Sequence, residues 1–142
     1  MRMKKKRPTA ERYVRLTHRM MQTKAWQTLD GNARAIYVEL VMLYRGGNNG
    51  SLGLSARQAA QAIHASKDTA ARALVQLQDR GFIVATTKGR FDRQRRATRW
   101  RLTEYRCDLT SQPASREFEV WVTADIVPLR PRGESAERGI DG

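Results

Sequence analysis

Cysteine occurs once in this chain, at Cys107, and histidine twice, at His18 and His64. A single cysteine excludes an internal disulfide and fits a reducing compartment. Two histidines and one cysteine, far apart, offer no metal-ligand cluster of usable spacing, so no metal is expected. There is no Ser–His–Asp order, no paired-carboxylate pocket and no nucleotide-binding glycine motif. The glycine- and asparagine-rich run 46–50 is not followed by Lys-Ser/Thr, which rejects a phosphate-binding P-loop. The chain is therefore not expected to be an enzyme, and no cofactor is implied. Long apolar runs are also missing. The longest, around 36–44, is interrupted by Glu39 and is too short to cross a bilayer. Met1 is followed by a charged run and Pro8 with no apolar stretch, so no secretory signal is expected. A soluble cytoplasmic protein is predicted, nucleoid-associated if bacterial. No internal repeat is visible.

Acidic residues are scarce as well. Against 27 Lys and Arg stand only 14 Asp and Glu, leaving a net charge of +13. Its placement is informative. Residues 1–19 carry +7 and residues 88–106 carry +6, while 20–87 carry only +3 and 107–142 carry −3. Two basic segments thus flank a nearly neutral body, the electrostatic footprint of a polyphosphate binder. The first, residues 1–12, reads as a flexible basic arm in which Arg2, Lys4, Lys5, Lys6 and Arg7 are candidates for DNA-backbone contact.

With 142 residues, the chain suits one domain of about 100 residues plus tails. Residues 13–16 alternate apolar and polar and are expected to lie against the core. Thr17 is expected to cap a short helix through Met20, Met21, Ala25 and Trp26. Asp30 caps the main scaffold helix to about Tyr44, with Ala33, Ile36, Tyr37, Leu40, Val41 and Tyr44 at helical spacing. Residues 46–50 make a turn, and 51–54 a short strand. Strands are then expected over 82–87 and 98–103, the second alternating Trp100 and Leu102 inward against Arg99, Arg101 and Thr103 outward. The loop between them holds Lys88, Arg90, Arg93, Arg95 and Arg96, which reads as a DNA-backbone-facing wing. From 107 the pattern weakens. Phe118, Val120 and Trp121 are candidates for a docking strand or a partner contact near 117–122, and disorder is predicted from about 128. Cys107 reads as structural.

The most informative stretch is 55–83. Ser55 caps a first helix, whose face is expected to carry Ala59, Ala62 and Ile63. Ser66 caps a second, with Asp68 at the positive end of its dipole and Ala70, Ala73, Leu74 and Leu77 as its buried stripe. Gly81 ends that helix, and Phe82, Ile83 and Val84 begin a strand. Small residues at 59, 62, 70 and 73 let the helices cross closely. The residues Ser66, Lys67, Thr69, Ala70, Ala73, Leu74, Leu77, Gly81, Phe82 and Ile83 resemble the pattern of the GntR-type winged helix, over about a fifth of the chain. That family usually has Gly where this chain has His64, and often a base-reading Arg where it has Ala71. His tolerates left-handed backbone better than most residues.

The resemblance implies a mainly α fold with a small β-hairpin wing, a winged helix-turn-helix over residues 13–106, followed by a tail, 107–142. It implies a sequence-specific double-stranded DNA-binding protein, expected to be a small transcriptional regulator. The second helix would enter the major groove, with Ser66, Lys67, Thr69 and Arg72 as base-contact candidates. Fewer than 40 residues follow the wing, so no effector-binding domain is expected. The layout also resembles the winged-helix domains of phage and plasmid replication proteins, in which such a tail recruits a protein partner. An RNA-binding role is the third reading; deep A-form grooves do not admit a helix.

Overall fold

The computed structural model describes residues 11–87 and 97–122. The arm residues Arg2, Lys4, Lys5, Lys6 and Arg7, and the loop residues Lys88, Arg90, Arg93, Arg95 and Arg96, lie outside them, as does the segment 128–142 expected to be disordered. The described chain is mainly helical with one small three-stranded antiparallel sheet.

Where one N-terminal helix is expected there are two, α1 (His18–Met21) and α2 (Lys24–Gln27). Thr17 caps α1 as anticipated. The break comes from Thr23: its hydroxyl donates to the Met20 carbonyl at 2.7 Å and accepts from the Trp26 amide at 3.2 Å, closing one helix and opening the next. The preceding Val14 and Leu16 pack against the core, while Tyr13 is exposed.

Helix α3 (Gly31–Leu43) begins where Asp30 accepts the Ala33 amide at 2.8 Å, and buries Ala33, Ile36, Tyr37, Leu40 and Val41. After a loop and the two-residue strand β1 (Leu52–Gly53) comes α4 (Ala56–Ile63). Ser55 and Gln58 close a reciprocal capping box at its start. The inward face of α4 differs from expectation: Ala62 is exposed and Ala60 is buried. The stripe starts one turn earlier, at Ala56, and runs through Ala59, Ala60 and Ile63, the i, i+3, i+4, i+7 set of an amphipathic helix.

His64 then takes φ 58, ψ 46, the left-handed conformation that ends α4 and starts the three-residue link to α5 (Lys67–Asp79). Ala70, Ala73, Leu74 and Leu77 of α5 are buried against α3 and α4. Strands β2 (Ile83–Thr87) and β3 (Arg99–Leu102) pair in register Ile83 to Leu102 and Ala85 to Trp100. The central strand is β3, with β1 on its other side through Leu52 and Trp100. Trp100 and Leu102 face inward as expected, but Thr103 does too. It stands just past the strand's end, where its hydroxyl donates to the Gly81 carbonyl at 2.6 Å and is wholly buried. A polar group so enclosed is stable because it is paired.

Asn49 sets the sheet's edge. Its side-chain oxygen accepts the Leu102 amide at 2.7 Å and its amide nitrogen donates to the Leu102 carbonyl at 2.9 Å. These are the two bonds a neighbouring strand residue would exchange in an antiparallel ladder. One side chain thus lengthens a two-residue strand. The same nitrogen reaches the carbonyls of Tyr105 and Arg106.

The aromatic centre is Trp26, Tyr37 and Phe82, packed edge-on at 5.6 to 5.8 Å. Phe118 closes it, stacked on Phe82 at 4.9 Å. It is presented by a 3-10 turn (Glu117–Glu119), where a docking strand was one expectation. Val120 is exposed, and Trp121 packs against the core with the Arg80 guanidinium 4.7 Å above its ring. Gly81 makes this seat possible. Its φ is +83, and a Cβ there would stand 2.8 Å from the Glu117 backbone.

Candidate nucleic-acid interface

The start of α5 is held by side-chain chemistry local to it. The Ser66 hydroxyl accepts the Thr69 amide at 3.1 Å and donates to the Thr69 hydroxyl at 2.9 Å. Two of the four base-contact candidates are therefore committed to the cap, although each keeps some unused bonding capacity. Lys67 and Arg72 are exposed, and neither has a hydrogen bond or ion pair among the described residues. At about 100° per residue they stand about 140° apart around the helix. The carboxylate of Asp68, in the first turn, suits the helix dipole.

The far end of α5 is tied down. Gln76 accepts the Asp30 amide at 2.8 Å and donates to the Asp30 carboxylate at 3.3 Å. Arg80 donates to the Thr28 hydroxyl at 3.0 Å. One end of the helix is thus fixed to the scaffold while its first two turns present unengaged cations. An open groove of about 470 Å³ runs along this surface, lined by Ala71, Arg72, Val75, Gln76, Asp79 and Arg80.

Adjoining elements add to the charge. The Leu54 amide donates to the Thr98 carbonyl at 3.0 Å, and the Trp100 indole donates to the Leu54 carbonyl at 2.9 Å. These bonds lock the start of α4 against β3. Arg57, in the first turn of α4, and Arg99 on β3 are exposed and free among the described residues. Sequence reasoning missed both, because neither sits in the second helix nor in the basic loop; Arg99 is nevertheless paired with Thr87, the last described residue before that loop.

Several other cations are engaged. Arg19 pairs with Glu119 at 2.8 Å, Arg116 with Glu104 at 3.1 Å and Arg106 with Asp108 at 3.8 Å. Arg101 reaches Ser115, and Arg34 bonds the carbonyls of Trp26 and Gln27. Among the described residues, the side chains of Arg12, Lys24 and Arg45 also make no hydrogen bond or ion pair, outside the helix pair and the sheet.

Cys107 is buried beneath this framework, 3.9 Å from the Asn49 carbonyl. Burial pushes its thiol up, and hydrogen bonds from the Thr110 hydroxyl and the Thr110 and Leu109 amides outweigh this and hold it below its ordinary range. Among the described residues no group of His, Cys, Asp and Glu could hold a metal ion, and no helix is long and apolar enough to cross a membrane. Compared with family models, curated proteins and solved structures, the chain matches none.

Proposed function

We propose that this protein is a winged helix-turn-helix that binds duplex DNA sequence-specifically, acting as a small transcriptional regulator. The observation that carries the reading is the pair of free cations, Lys67 and Arg72, on the exposed first turns of a helix whose other end is anchored by Gln76 and Arg80. A helix held that way suits insertion into a major groove about 12 Å wide. Free Arg57 and Arg99 lie on the adjoining elements and suit phosphate contact. The net charge of +13 supplies the non-specific attraction that any such binder needs. The likeness of 66–83 to the GntR-type pattern supports the same reading.

Lys67 is the favoured guanine reader, through O6 and N7. Selection of bound sequences from random duplexes tests this. A sharp motif is expected. Lys67→Ala should then cost ~1–3 kcal/mol on the best site and relax one base pair, while Arg95→Ala weakens all sequences alike. Absence of any enriched duplex motif would remove the reading.

A second reading, a replication-initiation protein that recruits a partner through 107–142, draws on the exposed Val120 and Val122 beside Trp121. Pulldowns with the parent chain and with the 107–142 tail altered at its exposed residues, Val120→Ser and Val122→Ser, separate the two.

A further inference from the structure

Between its two free cations, the outer face of α5 carries two apolar residues in its middle turns, Ala71 and Val75, with Asp68 and Asp79 at its ends. Taking Lys67 as the origin, Ala71 and Val75 stand at about 40° and 80° around the helix, and Arg72 at about 140°. Val75 is 51% exposed, in the open groove that Ala71 and Arg72 also line. A valine on the solvent face of a helix contributes nothing to the core and is a poorer helix former than alanine. Two of the polar groups that line this groove are already used: Gln76 is bonded to Asp30, and Arg80 to Thr28.

The occupant of this strip follows from what surrounds it. Unengaged Lys67 and Arg72 on its two sides favour a polyanion over an apolar protein surface. Asp68 and Asp79 lie on the same outward face, about 20° and 40° around from Val75, at the two ends of the strip, and repel phosphate from it. A nucleic acid seated here therefore has a phosphate beside Arg72, one base edge within reach of Lys67, and the neighbouring base edges over Ala71 and Val75. Neither side chain can hydrogen-bond. In a major groove the apolar group offered at a base edge is the C5-methyl of thymine.

We infer that Ala71 and Val75 form a thymine-methyl reader, so that this protein selects a T·A pair by burying that methyl beside Val75. The inference rests on the duplex-binding reading above and adds its specificity. The short side chain of Ala71 leaves room for the methyl.

The test uses the full chain and the best duplex from the selection experiment. Each thymine is replaced in turn by uracil, which keeps the pairing and removes only the methyl. At one or two positions binding should weaken about fourfold, the effect of losing one buried methyl group. The same uracil substitution should cost Val75→Ala less than twofold, because the methyl's partner has already gone. Val75 is exposed, so this variant keeps the fold, which circular dichroism verifies. Thymine-to-uracil costs below twofold at every position overturn the inference and leave the strip to a protein partner. So does a cost equal in the parent and in Val75→Ala. If no duplex is selected at all, the DNA reading falls, and this inference with it.

Discussion

Replacing Asn49 by alanine removes the side chain that stands in for a strand. In the folded protein its oxygen holds the Leu102 amide at 2.7 Å, and its nitrogen serves the carbonyls of Leu102, Tyr105 and Arg106 at 2.9 to 3.2 Å. Asn49 is fully buried, so water does not take over these contacts without rearrangement. Leaving one buried amide unpaired costs roughly 1–3 kcal/mol, and the under-satisfied carbonyls add to that. A total of about 3 kcal/mol is expected, a large share of the 5–15 kcal/mol typical of small domains. At roughly 5 °C per kcal/mol this lowers Tm by about 15 °C. Urea denaturation followed by circular dichroism measures the loss, with an unchanged m-value showing that the unfolding transition is the same. Asn49→Asp sharpens the argument. It keeps the acceptor for Leu102 but sets a carboxylate against three carbonyl oxygens, so at pH 7 it should be less stable than Asn49→Ala. Such a site raises the folded-state pKa. The penalty is therefore complete above that pKa and disappears as pH falls below the unfolded value near roughly 4. A loss under about 1 kcal/mol for Asn49→Ala would refute the reasoning, and would mean that the loop re-pairs its own backbone.

Three further outcomes are expected. Gly81→Ala should destabilise by roughly 2–5 kcal/mol in chemical denaturation, since the new Cβ meets the Glu117 backbone at 2.8 Å and φ is +83; a neutral result would mean that the 117–119 turn lifts away freely. His64→Gly should lie within roughly 1 kcal/mol of the parent, because relief of the left-handed strain at φ 58 is opposed by glycine's extra freedom when unfolded; a clear loss would reveal a packing role for the exposed imidazole. Tyr37 is wholly buried, and burial first, then the charges of Glu104 and Tyr105, pushes its phenol far above the ordinary value. It stays neutral in the folded protein while the unfolded chain ionises, so stability should fall above pH ~10 by up to ~1.4 kcal/mol per pH unit, and Tyr37→Phe should flatten that fall.

Local chemistry was readable in the sequence. Asp30, Ser55 and Ser66 cap the helices expected of them, and Ala70, Ala73, Leu74 and Leu77 form the stripe that their spacing requires. Gly81 ends α5, and His64 takes the left-handed turn. Each depends on residues no more than a few positions apart, where backbone geometry leaves little choice. The candidate site was legible to the same depth: Lys67 and Arg72 fall on the free face of α5 because the opposite face is apolar.

Only the folded chain decided the rest. Asn49, in a glycine-rich turn, reads as a loop residue, yet its partners lie 53 to 57 positions away. Thr103 continues an alternating strand on paper, but Gly81, 22 positions away, turns it inward. Phe118 reads as part of a docking strand or a partner contact, and only the fold supplies Phe82 as the surface it stacks on. The cations follow the same rule. Arg19 and Arg116 are as basic as Arg57 and Arg99, and differ only because Glu119 and Glu104 are folded beside them. Pairing over such separations is set by which surfaces the core brings together, and no local pattern encodes it.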